Sequence, residues 1–370
     1  PLSPAWPRRG YATVTAVTAI VAGVFGVLLW HRIADKGATT LVGDAVHLDK
    51  VGVWLAITIC VGVFLVALVT DDYLRREGLD GPELYVLYML AAVGGVVMSA
   101  ANDLIVLFLG LEILSIALYV MAASHRKRIE SQESGIKYFV LGGFSSAFFL
   151  YGVALVYGGA GSTNFTRIVA AFDATIQVER HNDALVLAGV ALLMVGLAFK
   201  VAAVPFHFWS PDVYEGAPTP VTAFMASVGK AAAFGAMLRV LLQAVPHWAD
   251  DYRPALWLIA VLTLVGGAVM AVVQTNVKRM LAYSSINHAG FILVGLAAAS
   301  DKGISAALFY LAIYSLMTIG AFAVVTIISR EGDGHTSLAD LRGLSQTRPG
   351  LAMALVVFVL APAGVPFTGG

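Results

Sequence analysis

Residues 199–234 read FKVAAVPFHFWSPDVYEGAPTPVTAFMASVGKAAAF, a largely apolar stretch with Lys200 near one end and Lys230 near the other. A charged side chain at the centre of a bilayer costs about 2.5–3.5 kcal/mol on insertion scales. Pro205 has no amide hydrogen, and its ring clashes with the carbonyl of Val201. Irregular backbone at membrane depth survives only where protein buries it or where it lines a cavity. The stretch therefore predicts a broken membrane helix beside a polar interior site.

The composition of the whole chain agrees with a membrane location. The 370 residues are 59% hydrophobic and 12% charged, with a mean hydropathy of +0.83. Soluble domains carry about 25% charged residues, roughly twice this density. The charged residues also cluster, and they leave apolar runs near the length of about 20 residues that spans a bilayer. We predict an all-α polytopic membrane protein.

Hydropathy and helix breakers divide the chain into eleven candidate spans. These are 11–30, 51–70, 83–100, 103–122, 137–157, 184–208, 219–244, 254–275, 279–299, 303–328 and 350–370. Lys and Arg are more numerous in the loops on the side that holds the first residues. The positive-inside rule therefore places the N-terminal end in the cytoplasm.

A short repetition predicts internal symmetry. The chain reads AAVPF around Pro205 and AGVPF around Pro366, on the sixth and eleventh spans, which cross the membrane in opposite directions. Interrupted helices in inverted halves are typical of a transport pathway near the bilayer midplane. We predict helix breaks at Pro205, Pro362 and Pro366. Because the chain begins at Pro1 and ends inside an apolar run, we interpret it as a fragment of one transmembrane domain over 1–370.

Four ionisable side chains lie deep inside the predicted spans. They are Glu112, Lys200, Lys230 and His288. Such groups normally face the bundle interior or water and mark ion or proton paths. A pair between Glu112 and Lys200 would hold both groups charged, and its separation would free a proton for Lys230 and His288. The alternative is structural, with the buried charges serving only to fix helix packing.

Other chemistry finds little support in the sequence. The net formal charge is zero, so nothing suggests nucleic acid as a partner. Cys60 is the single cysteine, and no Cys/His cluster has metal-ligand spacing, so we expect no metal or cofactor bound to this chain. We also find no nucleophile–base pair or phosphate-binding loop. Asp212 and Glu215 are expected to cap the next helix, whose N-terminus favours negative charge.

Four stretches resemble a known family. They are FLGLEILSIALYVMAA (108–123), ESGIKYFVLGGFSSAFFLYG (133–152), the broken-helix stretch within 199–232, and NVKRMLAYSSINHAGFILVGL (276–296). Together they resemble subunit N of bacterial respiratory complex I, the proton-translocating NADH:quinone oxidoreductase. The segment PFHFWSPDVYEGAPTPVTAF is the most specific of these motifs.

The resemblance implies a fold and a set of site residues. The family fold is an antiporter-like bundle of about fourteen helices with two inverted five-helix repeats. We expect the first repeat over 83–244 and a truncated second repeat over 254–370. The relay positions of the family match Glu112, Lys137, Lys200, Lys230 and His288. The first helix of the family has no match, and its exit-side lysine would lie beyond Gly370.

The resemblance also implies an assembly. NADH, FMN, iron–sulfur clusters and quinone would be bound by partner subunits. The partners would be the antiporter-like subunits M and L and the small subunits K, J, A and H, within the lipid bilayer of the bacterial cytoplasmic membrane. The alternative is a stand-alone or Mrp-type cation/proton antiporter, which would work without NADH.

Overall fold

The computed structural model describes residues 8–79, 81–172, 182–329 and 331–365, and it is almost entirely helical. Up to Lys200, where the chain leaves its helix before Pro205, the helices are α1 (Arg8–Lys36), α2 (Lys50–Arg76), α3 (Pro82–Ala100), α4 (Leu104–Ala122), α5 (Ile129–Ala160), α6 (Phe165–Ala171) and α7 (Asp183–Lys200). After it come α8 (Trp209–Gly216), α9 (Thr219–Phe224), α10 (Lys230–Arg239), α11 (Ala249–Val272), α12 (Val277–Ala297), α13 (Asp301–Ile328), α14 (Leu344–Thr347) and α15 (Pro349–Leu360). A hairpin of β1 (Thr39–Leu41) and β2 (Val46–Leu48) precedes α2.

Ten helical segments of the described residues are long and apolar enough to cross a membrane, which confirms the prediction of an all-α polytopic membrane protein. They correspond to the first ten predicted spans. The eleventh, 350–370, contains the shorter helix α15 and then a turn that includes Pro362. Pro366 lies outside the described residues.

The segment from α9 to α10 is the centre of the bundle. With the π-turn that follows α10, it runs from Thr219 to Ala244, and its most apolar 18 residues are all buried. Helices α2, α3, α7 and α13 all contact α10. Around this segment the helices pack as antiparallel neighbours: α1 with α2, α3 with α4, α5 with α7, and α11 with α12. The central segment is therefore shielded from lipid by protein on every side.

Small residues allow two of these helix pairs to approach closely. A side chain at Gly152 would meet the backbone of Gly189 at 2.8 Å, and one at Gly110 would meet the backbone of Gly94 at 2.8 Å. Interfaces between membrane helices are enriched in such residues because burial from water does not drive their association. These contacts join α5 to α7 and α3 to α4, the helices that carry part of the candidate site.

The sixth span is shorter than expected, because its helix ends at Lys200 instead of continuing to 208. Ala202 adopts a left-handed conformation with φ of 58°, and the chain turns through Pro205 before α8 begins. The freed backbone groups find new partners. Thr263 on α11 accepts a hydrogen bond from the Val204 amide at 2.9 Å, and the Trp209 indole donates to the Phe199 carbonyl at 2.9 Å. The break is therefore satisfied by protein groups, as membrane depth requires.

Charged residues from the ends of α2, α5 and α12 meet at one face of the bundle, which we call the basic face after Arg76, Arg128 and Arg279. At the other end, called the opposite face, the hairpin is held by two amides. The side chains of Asn102 and Asn164 each donate to the Asp44 carbonyl at 2.9 Å.

A buried ion pair anchors α10 near the opposite face. The guanidinium of Arg239 is fully buried and binds both carboxylate oxygens of Asp49, at 2.6 and 2.7 Å. It also donates to the Ser99 carbonyl and to Gln243. Burial raises the pKa of Asp49, but Arg239 more than offsets this effect and holds the pKa below its usual value. The pair thus ties the end of the central segment to the start of α2.

We predict that Asp49→Asn destabilises the protein by about 3 kcal/mol, because removing one partner of a buried pair leaves the other charge uncompensated. Thermal unfolding of the detergent-purified protein measures the loss. Asp250→Asn, at an exposed carboxylate of the same face, is the matched control and should leave the melting temperature unchanged.

The same pair predicts a pH dependence of stability. The folded-state pKa of Asp49 lies below its ordinary value of 3.8. The contribution of the pair is therefore complete above that value and is lost as pH falls through the folded-state pKa. The melting temperatures of wild type and Asp49→Asn should converge in strong acid. Parallel melting curves from pH 7 to pH 2 would contradict this role.

Candidate functional site

Lys200 is the last residue of α7, directly before the helix break. Its side chain is buried, and its ammonium donates to the hydroxyl of Ser115 at 2.6 Å. It also lies 5.5 Å from the ring centroids of Tyr119 and Tyr138. The end of a helix favours a cation because the last carbonyl groups carry partial negative charge. The helix break therefore places this lysine at a helix end, while side chains of α4 and α5 surround its ammonium.

Glu112 lies on α4, about one turn before Ser115, and its carboxylate accepts a hydrogen bond from the hydroxyl of Ser146. Glu112 is near enough to Lys200 to interact with its charge. The direct Glu112–Lys200 pair expected from the sequence is nevertheless not formed, since no ion pair within 4.0 Å joins them in the described structure. Each group instead binds a serine hydroxyl, and the two charges remain separate.

Lys230 begins α10 directly after a π-helical turn at Met225–Gly229. Its ammonium donates to the backbone carbonyl of Ser285 on α12 and lies 5.8 Å from the ring centroid of Tyr314. The side chain is only 2% exposed. π-turns inside α-helices are frequent at functional sites, because they leave backbone groups free and redirect side chains. Lys230, like Lys200, is held by neutral oxygen and an aromatic face.

His288 follows Lys230 in a connected polar group. The hydroxyl of Tyr314 donates to Ser285 at 2.7 Å, and the ring of Tyr314 lies 5.5 Å from the imidazole of His288. Nδ1 of His288 is hydrogen-bonded to Tyr310 at 2.6 Å. The group borders a cavity of about 440 Å³, whose lining includes Ser284, Ser285, His288, Tyr314, Thr318 and Pro362. His288 and Lys230 thus share neighbours from α12 and α13.

Lys137 lies outside this buried group. Its ammonium pairs with Glu133 at 2.7 Å and with Asp212 at 3.0 Å, and its side chain is 41% exposed. Arg279 pairs with Asp212 and Glu215 beside it. The cluster lines a polar cavity of about 410 Å³ at the basic face. Lys137 is therefore placed at a mouth of the bundle, away from the partners of Lys200 and Lys230.

The expectation that Asp212 and Glu215 cap the next helix is wrong. Helix α9 begins after Pro218 without any side-chain cap. Both carboxylates are instead drawn to the cations of α5 and α12. Partial burial raises the pKa of Asp212, but hydrogen bonds from Lys137 and Arg279 together with their charges lower it by more. The net effect is a pKa below the usual value.

Asp333 is a buried carboxylate at the basic face with several cations around it, and no sequence pattern indicated this role. Its carboxylate accepts from Arg128 at 3.0 Å and from the amide of Thr219, the first residue of α9. The other cations within 4.0 Å are Lys278 and Arg76. Burial raises the pKa of Asp333, yet the nearby Lys278 and Arg128 more than compensate and keep it low. One carboxylate thus joins the ends of α2, α5 and α12 to the start of the central segment.

Two further buried cations were missed for different reasons. Lys278 lies one residue before the predicted span 279–299, yet it is fully buried and donates to the Ala217 carbonyl at 2.6 Å. Arg239 lies inside the predicted span 219–244, and a charge at that depth indicates a residue that faces the protein interior. Asp333 had no such signal, since it lies in a polar loop among other charged residues.

The described residues contain no group of three His, Cys, Asp or Glu side chains arranged to hold a metal ion. The site brings together single titratable groups. It consists of two buried ammonium groups, one carboxylate and one imidazole, each bonded to a hydroxyl or a carbonyl. Such groups can accept and release protons, and tyrosine and serine hydroxyls between them can pass protons on.

Comparison with known proteins gives the family. The family model described as NADH:quinone oxidoreductase/Mrp antiporter, TM matches residues 101–370. The chain is 44% identical to NADH-quinone oxidoreductase subunit N of Trichlorobacter lovleyi over 363 residues, covering 98% of this chain and 73% of that protein. It is 51% identical to subunit N 3 of Streptomyces griseus over 303 residues, covering 80% of this chain and 55% of the relative. The chain thus spans little more than half the length of that second relative.

Solved structures give the same fold. Respiratory complex I from Thermus thermophilus contains a chain that matches with a TM-score of 0.80 and 35% identity, over 98% of this chain and 74% of the other. A chain of the Mrp complex from Dietzia matches with a TM-score of 0.85 over 97% of this chain and 67% of the other, but at 22% identity this likeness shows the fold alone. The chain is a multi-pass membrane protein that belongs to the NADH:quinone oxidoreductase/Mrp antiporter family.

Proposed function

We propose that this chain is a proton-translocating membrane subunit of bacterial NADH:quinone oxidoreductase, in the position of subunit N. Protons would move from the cytoplasm to the outside of the cytoplasmic membrane. Quinone reduction elsewhere in the complex would supply the energy. The observation that carries the proposal is the pair of buried ammonium groups of Lys200 and Lys230. Lys200 lies at the break that ends α7, Lys230 follows the π-turn of the central segment, and neutral groups bind both.

The neutral partners matter because they make proton release feasible. In the described structure, no carboxylate lies within ion-pair distance of either ammonium. A proton can therefore leave either lysine without breaking a direct ion pair, the step that would leave a buried charge uncompensated. A lysine placed only to fix helix packing would be expected to face a carboxylate, as Arg239 faces Asp49.

The proposed route follows the contacts. Lys137 stands at its mouth, in the polar cavity of the basic face. Glu112 and Lys200 are the first interior groups that carry the proton, and Lys230 and His288 are the second. The Ser285–Tyr314 hydrogen bond lies between Lys230 and His288. No hydrogen bond joins Lys200 to Lys230 in the described part of the chain, so water must complete that step.

The proposal includes an assembly. NADH, FMN, the iron–sulfur clusters and quinone belong to partner subunits, and no electron carrier is assigned to this chain. The partners are the antiporter-like subunits M and L and the small subunits K, J, A and H. The support comes from relatives named as subunit N at 44% and 51% identity and from the complex I match at 35%.

The alternative is a stand-alone or Mrp-type cation/proton antiporter. It shares the fold, but the Mrp match is only 22% identical. Purification of the full-length chain under mild detergent separates the two proposals. NADH-oxidising activity in a large assembly supports complex I. A chain that arrives alone, or with a few small membrane subunits and Na⁺-dependent exchange, supports the antiporter.

We predict that Lys200→Met or Lys230→Met lowers NADH-coupled proton pumping about tenfold or more, because each removes a group that carries the proton. NADH oxidation with an artificial acceptor should survive in both variants. Pumping is measured in inverted membrane vesicles with a pH-sensitive dye.

The matched control is Lys302→Met, at an exposed lysine of the opposite face. Methionine is an unbranched apolar side chain of similar size that lacks the ammonium group. Normal pumping in both interior variants would show that the lysines only hold helices together, and the relay assignment would be abandoned.

We predict that Ser115→Ala slows pumping about threefold, since Lys200 then loses one hydrogen bond of ordinary strength. Ser145→Ala is the control, because that hydroxyl donates to the Gly196 carbonyl of the same helix α7 at 3.1 Å without touching the lysine. Equal pumping rates in the two variants would exclude a specific role for the Ser115 hydroxyl.

A further inference from the structure

A groove at the opposite face lies outside the proposed proton route. It has a volume of about 540 Å³ and is bounded by the end of α1 and the starts of α2 and α13. Its lining includes Trp30, Lys50, Trp54, Asp301, Leu308 and Phe309. Since all three helix termini meet the same face, the groove sits where the bilayer surface ends and its apolar core begins.

The walls of the groove are aromatic and rigid. The rings of Trp30 and Trp54 lie 6.0 Å apart, and the indole of Trp54 donates to the Leu308 carbonyl at 3.1 Å. Phe309 is 59% exposed on the far wall. Tryptophan is enriched at membrane interfaces because its ring is apolar and its N–H is polar. The groove therefore has the composition of a site for a molecule with an apolar body and a polar end.

The rim of the groove carries one charge of each sign. The ammonium of Lys50 lies 5.8 Å from the ring centroid of Trp30, and Asp301 is an exposed residue in the first turn of α13. Within the described residues, neither has an oppositely charged partner within 4.0 Å. Both charges are thus available to a ligand.

We propose that this groove binds a phospholipid whose head group carries a phosphate and a primary ammonium, that is, a phosphatidylethanolamine. Lys50 pairs with the phosphate, and Asp301 accepts hydrogen bonds from the ammonium. The acyl chains run down the apolar walls past Leu308 and Phe309. The bound lipid holds α1 against α13 across the surface of α2.

Charge complementarity selects this lipid over others. An anionic head group with no cation would satisfy Lys50 but would be repelled by Asp301. The quaternary ammonium of phosphatidylcholine has no N–H to donate to a carboxylate. A head group with both a phosphate and a primary ammonium matches both rim residues in charge as well as in hydrogen bonding.

The test uses the full-length chain in its native complex, reconstituted in nanodiscs that contain equal amounts of phosphatidylethanolamine, phosphatidylcholine and phosphatidylglycerol. Native mass spectrometry counts the lipids retained after release from the nanodisc. The wild type should retain phosphatidylethanolamine preferentially. Lys50→Gln should lower that retention about fivefold, as loss of one partly exposed ion pair predicts.

The second variant tests the selectivity itself. Asp301→Asn should abolish the preference for phosphatidylethanolamine over phosphatidylcholine while total lipid binding changes less. Lys302→Gln and Asp250→Asn remove exposed charges from the same face outside the groove and should behave as the wild type.

Three results would overturn the proposal. One is equal retention in wild type, Lys50→Gln and Asp301→Asn, and another is a preference for phosphatidylglycerol. The third result does not depend on whether the variants fold. It is an electron cryomicroscopy map of the wild-type complex that shows a protein segment, and not a lipid, in the groove. Density for a head group between Lys50 and Asp301 supports it.

Discussion

The interruption of α7 after Lys200 is the constraint on which the interior of this protein depends. A continuous helix would have used its carbonyl groups internally. Because the chain turns through Pro205 instead, the helix ends inside the bundle, and Thr263 and Trp209 satisfy the released backbone groups. Lys200 thus lies at a helix end inside the bundle, where its ammonium binds the Ser115 hydroxyl instead of forming a direct ion pair.

The central segment also contains a buried lysine at a change in backbone geometry, but there the helix continues. Lys230 lies in a helix that is not broken but widened by a π-turn, and its ammonium reaches the Ser285 carbonyl on the neighbouring helix. In both places a change in backbone hydrogen bonding accompanies the lysine. Irregular backbone and a buried charge occur together at both sites, and a neighbouring helix supplies the oxygen that binds the ammonium.

Ion pairs of a different kind hold the ends of the bundle. Asp333 and Asp49 each join a buried cation to helix ends at one of the two faces, and both are held below their usual pKa by those cations. These pairs have direct contact between opposite charges, in contrast to the interior lysines. The difference supports the proposed assignment of roles, in which the end pairs fix the packing and the interior lysines change protonation.

The sequence by itself determined the membrane class, the approximate spans and the interior position of Glu112, Lys200, Lys230 and His288, because apolar runs and isolated charges are properties of local sequence. It did not determine which charges meet. The expected Glu112–Lys200 pair is replaced by two serine hydroxyls, Asp212 pairs across the bundle instead of capping a helix, and Asp333 gathers cations from three distant helices. Contacts between residues far apart in the chain depend on helix packing and on how the break redirects the backbone, and only the tertiary structure decides these.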